Sequence, residues 1–196
     1  SLDSRLIPFM FIHPLRDKES YIRSIQTEFR GFKFYSSARQ MEYGYPSIKN
    51  TDVFNFIKTI EKPSIFHTGL KNGERGKDLV DLANECNGKV VVAHAGRFFA
   101  DDLRLMQNIP NIFLDLSPLN TMLQNPAFLA HASFRDSSIK DLEATRVIDY
   151  LSSIFPSRLV WGTDLPWCEG FCKEGYEKEL SLYKNLDLSR LCGALV

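Results

Sequence analysis

Apolar residues fall along the chain in two rhythms that take turns. Short runs of branched and aromatic residues, bounded by Gly, Pro or polar positions, read as strands: "RLIPFMFIHP", "GFKFYSS", "PSIFHTG", "KVVVAHAG", "NIFLDLS" and "RLVWGTD". Between them, "DKESYIRSIQTEFR", "NTDVFNFIKTIEK", "GKDLVDLANECNG", "FFADDLRLMQNI" and "SIKDLEATRVIDYLSSIF" mostly set apolar side chains three and four apart, as at Leu79, Leu82, Ala83 and Cys86, which is one face of a helix. Asn50 or Thr51 is predicted to cap the second of these helices, and Gly88 to stop the third. Strands alternating with helices of this length make βαβ units and a parallel sheet, an α/β fold. The exception is residues 118–138, predicted as a long loop; its aromatics and leucines speak for a lid over a site rather than for disorder.

The length of 196 residues and hydrophobic content of 44% fit one globular domain over residues 1–196. Formal net charge is +0, so there is no electrostatic footprint for nucleic acid or an anionic membrane. No apolar run approaches the ~20 residues of a membrane span and no signal-peptide pattern is seen, which makes a cytoplasmic location the expectation. The four cysteines are too sparse for a disulfide scaffold. Cys168 and Cys172 in "CEGFC" lack the second pair that a structural zinc site usually has.

Chemistry enters at the strand ends. "PSIFHTG" reaches His67, "KVVVAHAG" reaches His94, "NIFLDLS" carries Asp115 and "RLVWGTD" ends in Asp164. An Asp before Leu-Pro is by itself more often a cap than a catalyst. Side chains alternate along a strand, however, so Val160, Gly162 and Asp164 share one face. In a parallel sheet all these ends gather at one edge, where α/β folds keep their sites. Imidazoles and carboxylates converging there suit a divalent metal.

"FHTG", "AHAG", "FLDLS" and "VWGTDLPW" resemble the last four strand ends of the amidohydrolase-2 branch of the amidohydrolase superfamily, metal-dependent (β/α)8 TIM-barrel enzymes that include hydrolases and non-oxidative decarboxylases. The resemblance runs from about Leu6 to about Trp167. It implies that His67 binds metal, that His94 lies near metal and substrate as a catalytic group, and that Asp164 binds metal and handles protons. It departs from the family in lacking His-x-His, and counting back from "VWGTD" as the eighth strand makes "RLIPFMFIHP" the third. The first two βα units of the barrel are therefore expected to be absent, in keeping with the ~250 residues that eight units take. His13, at a strand end, cannot replace two histidines on another strand.

The activity implied is a metal-dependent hydrolase acting on a small cyclic or carboxylated substrate, with a divalent metal, Zn²⁺ by preference, as cofactor. The alternatives are a decarboxylase of the same fold, using the same residues, or a catalytically silent truncated barrel. Arg39, Arg97, His131 and Arg135 are candidates to hold a substrate carboxylate, although each also reads as a solvated charge. Phe98, Phe99 and Trp167 could wall the pocket. Lys33 matches the bridging lysine of some superfamily members in residue type, but it is predicted to lie too early in its strand. Two unpaired strand edges would be left by an incomplete barrel, and these are expected to be covered, by a second copy among other routes.

Overall fold

Six strands are placed in one sheet in chain order, every neighbouring pair parallel: β1 (Phe9–Ile12), β2 (Gly31–Phe34), β3 (Ser64–Phe66), β4 (Val90–Val92), β5 (Ile112–Asp115) and β6 (Leu159–Val160). An unreversed order is that of a barrel segment, since a doubly wound sheet turns back at its switch point. This computed structural model describes residues 8–36, 43–130, 132, 143–162 and 173–184. The sheet accordingly forms a partial (β/α) barrel, with α1 (Glu19–Ile25), α2 (Tyr45–Ile48), α3 (Asp52–Ile57), α4 (Val80–Glu85), α5 (Ala100–Met106), α6 (Leu119–Gln124), α7 (Pro126–Leu129), α8 (Ala144–Ile154) and α9 (Lys173–Lys184) between and after the strands. No described helix is long and apolar enough to cross a membrane.

The two faces of the sheet differ. Ile12, Phe34, Phe66, Val92, Leu114 and Leu159 lie in register and are fully buried in the main core with Ile22, Phe54, Leu82, Leu103 and Leu151 from the helices. On the alternate row Phe11, Lys33, Ile65, Val91 and Phe113 are register partners in turn. Val91, Phe113 and Val160 form a separate, smaller cluster there with Ile65. This second face is the barrel interior, and Phe11 at its edge is 50% exposed.

One local expectation holds and two meet a different outcome. Thr51, rather than Asn50, caps α3, its Oγ1 accepting from the Phe54 N–H at 3.2 Å. Gly88 does not stop α4, which ends at Glu85 with Cys86 already extended. Its lack of a side chain is needed elsewhere, because a Cβ on Gly88 would come within 2.2 Å of the Lys62 carbonyl. Residues 118–138 are not one long loop: they include α6 and α7, with Ala132 bridged to Phe99. The compact helical turns bury Leu119, Met122 and Leu129, which is why the segment is rich in apolar residues.

Candidate functional site

The C-terminal ends of β2, β3, β4 and β5 bring Tyr35, His67, His94 and Asp115 together. Alternation continues past β3 so that His67 follows Ile65 on the interior side. The stretch after β4 takes another course. His94, Ala95, Gly96, Arg97 and Phe98 all have φ between 47° and 61°, a left-handed turn that L-residues avoid. The turn is pinned at both ends. Arg97 Nε donates to the Thr68 carbonyl at 2.9 Å, and Thr68 Oγ1 donates to the Ala93 carbonyl at 2.6 Å.

The two imidazoles are wired together. Nδ1 of His94 lies 2.6 Å from the Ser117 carbonyl oxygen, and Nε2 of His94 lies 3.0 Å from Nδ1 of His67. A carbonyl only accepts, so His94 carries its proton on Nδ1 and a lone pair on Nε2. His67 must then donate from Nδ1, which leaves the lone pair of His67 on Nε2. Tyr35 stacks on the His67 ring at 4.1 Å between centroids, and His94 meets the same ring edge-on at 4.8 Å. The Tyr45 hydroxyl donates to the His67 carbonyl and accepts from the Ser36 N–H at 3.3 Å.

Burial, with Arg97 and Lys33 as further causes, pushes the His67 imidazole down to about 3. His94, fully enclosed, is driven in the same direction by burial, by Arg97, by His67 and by Lys33. Both rings are therefore neutral at pH 7. Burial raises Asp115, against the pull of its bonds from the Ser117 hydroxyl at 2.6 Å and the Ser117 N–H at 3.0 Å and of the charge on Lys33. Lys33 corrects the sequence reading. It is the third residue of β2, on the interior row, and its charge reaches His67, His94 and Asp115.

Of the predicted site residues, His67, His94 and Arg97 are thus brought together. Asp164, Arg39, His131 and Arg135 lie outside the described residues, as do Trp167, Cys168 and Cys172. Phe98 is fully buried and Phe99 nearly so; the Arg75 guanidinium lies 3.8 Å from the Phe99 ring centroid, which makes Phe99 part of the framework. His13 is buried against Tyr43 at the end of β1, with no hydrogen bond to either ring nitrogen among the described residues. Tyr35 and Ser117 were missed. The signal for Tyr35 was alternation from Lys33; for Ser117, whose carbonyl does the work, no side-chain pattern could have served.

The described donors do not by themselves fit a metal. His67 and His94 spend three of their four ring nitrogens on one another and on Ser117, and Asp115 is engaged by Ser117. Among the described residues, no group of three or more His, Cys, Asp or Glu side chains is placed to hold an ion.

Comparison with known proteins gives two findings. The family model described as amidohydrolase matches residues 18–190. The chain also resembles in fold a solved structure from Acinetobacter baumannii, described as a probable 2-pyrone-4,6-dicarboxylic acid hydrolase with citric acid bound, at 16% identity and a TM-score of 0.57. That likeness covers 91% of this chain and 64% of the other, so the chain spans under two thirds of its length. No curated protein sequence matches.

Proposed function

The chain belongs to the amidohydrolase family, and from that premise we propose that this site hydrolyses a small, carboxylated cyclic substrate with His67 as general base. The observation that carries the reading is the ordered pair of neutral imidazoles with one lone pair, on His67 Nε2, left for chemistry. A water held at Nε2 would give its proton to His67 as its oxygen adds to the substrate carbonyl carbon. The ring C–O bond then breaks, and the departing oxygen takes the same proton back, so the sum is one water added. As His67 becomes cationic, its Nδ1–H bond to His94 strengthens, and the Ser117 carbonyl keeps His94 in the tautomer able to receive it. This is the base-and-orienter logic of hydrolytic triads, with Ser117 as the orienter.

Arg97 and Lys33 supply positive charge beside the pair and suit a carboxylate on the substrate and the oxyanion as it forms. A bound anion would also offset the charges of Arg97 and Lys33, the lesser causes that depress His67 after burial, and so raise its basicity in part. Asp164, Arg39, His131 and Arg135 are proposed to complete the site. A divalent metal enters no step here.

The fold neighbour's name makes 2-pyrone-4,6-dicarboxylic acid the first substrate to test. In ¹⁸O-labelled water, ring opening with label in the new carboxylate is expected. Release of CO₂ without label would instead indicate a decarboxylase. His67→Ala and Asp164→Ala are each expected to lower turnover by about 10²–10⁴-fold with the fold intact. Near-normal rates in both would overturn the reading.

A further inference from the structure

We propose that α9 sets the geometry of the imidazole pair from a distance, through Glu179 acting as a positioning residue on Ser117. Glu179 is completely buried. Its carboxylate accepts the Thr121 N–H at 2.9 Å and the Asn120 N–H at 3.2 Å, and the Thr121 hydroxyl lies 3.3 Å away. These are first-turn groups of α6, whose N-cap position is Pro118 and which has no capping side chain of its own. The first N–H groups of a helix need partners, and a carboxylate there is favoured by the helix dipole as well as by charge-assisted hydrogen bonds. A local Ser or Asp usually fills this role; here the acceptor comes from a helix near the other end of the sequence.

What makes the placement consequential is the residue just before the cap. Ser117 precedes Pro118, and its carbonyl is the group that fixes His94. The segment from Asp115 to Thr121 is consequently held by a carboxylate on each side of that carbonyl. Asp115 takes the N–H and hydroxyl of Ser117 at the strand end, and Glu179 takes the start of α6. Leu116 is tied into the sheet by its N–H to the Val160 carbonyl at 3.0 Å. With Glu179 removed, the sheet side keeps its hydrogen bonds while the start of α6 loses its carboxylate and is held by the packing of Leu119 and Met122, so the added freedom appears at Ser117 and Pro118 and passes to His94. The inference concerns the geometry of the pair and rests on the proposed function only for its consequence in turnover.

The test is ¹⁵N-histidine NMR of the full chain at pH 7 without substrate, so that its result stands whatever reaction the site performs. In the wild type a slowly exchanging Nδ1–H proton on His94 and an unprotonated Nε2 are expected. Glu179→Gln puts an amide N–H₂ opposite backbone donors; loss of the slow Nδ1–H signal and a mixture of His94 tautomers are expected. Thr121→Val, which removes one of the three contacts, should shift the same signals less. Ile57→Ala, in the core under α3, lowers stability and should leave them in place. Unchanged His94 signals in a folded Glu179→Gln protein would overturn the proposal and make Glu179 a cap alone. If that variant does not fold, unchanged signals in Thr121→Val overturn it equally.

Discussion

Gly96 stands in the middle of a turn in which each L-residue held at positive φ carries a cost of about 1–2 kcal/mol. Against that cost, the turn brings His94 to the Ser117 carbonyl and Arg97 to the Thr68 carbonyl, on the segments that follow the two neighbouring strands. Gly96 adopts φ +60° without that penalty, and a Cβ there would stand 3.1 Å from the Met106 methyl. Gly96→Ala is therefore expected to lower stability by about 1–2 kcal/mol in urea denaturation; no loss would mean that the turn is not left-handed in solution. His67 has its own signature. Its pKa in the folded state, about 3, lies below the ordinary 6.5, so as pH falls the unfolded chain takes up the proton first. Its contribution is fully present above about pH 6.5 and is lost toward pH 3, and His94 runs the same way. Asp115, raised from 3.8, runs the opposite way, its penalty growing as pH rises through and above that value. Melting temperature should fall from pH 7 to pH 5, with a shallower slope in His67→Gln; equal slopes would contradict a buried neutral His67.

The connection after β3 is organised by charge in a way that helical periodicity conceals. Asp78 takes the N–H groups of Gly73 and Arg75 at 2.7 and 3.0 Å, which turns Arg75 inward to form two bonds with Asp102 of α5 at 2.6 and 3.1 Å. Asp102 is fully buried, whereas the Arg75 side chain keeps 18% of its surface exposed. Asp102→Ala would leave that guanidinium stacked on Phe99 without its counter-charge, at a cost of about 3 kcal/mol, the lower end for a broken buried pair. Asp102→Asn, which keeps one acceptor, should cost less, and equal losses would show that packing rather than charge decides. Helix α4 itself was readable from Leu79, Leu82 and Ala83. Its end was not, since Gly88 serves the approach of Lys62 rather than the helix.

Taken together, the six strands leave two outer edges: among the described residues β1 pairs only with β2, and β6 only with β5. The interior face at the β1 edge carries Phe11 at 50% exposure. An edge with an exposed aromatic is an invitation to pairing. Self-association that rises with concentration is expected in analytical ultracentrifugation, and Phe11→Lys should reduce it. A wild-type protein monomeric up to high concentration, indistinguishable from Phe11→Lys, would count against an open edge.

The alternation of strand and helix, the parallel sheet, the family and the strand-end histidines were all legible, because they depend on periods of two and of three to four residues and on motifs a few residues long. What only the tertiary structure decided is how those residues are wired. His94 depends on a carbonyl 23 positions away, and the start of α6 on a carboxylate 58 and 59 positions away. Lys33 acts on the site because the register of β2 against β3 sets it on the interior row. Backbone carbonyls are present at every residue, so no sequence marks the one that will fix an imidazole. The tautomer of the pair, and with it the nitrogen left for chemistry, follows from distances that exist only once the strands have paired.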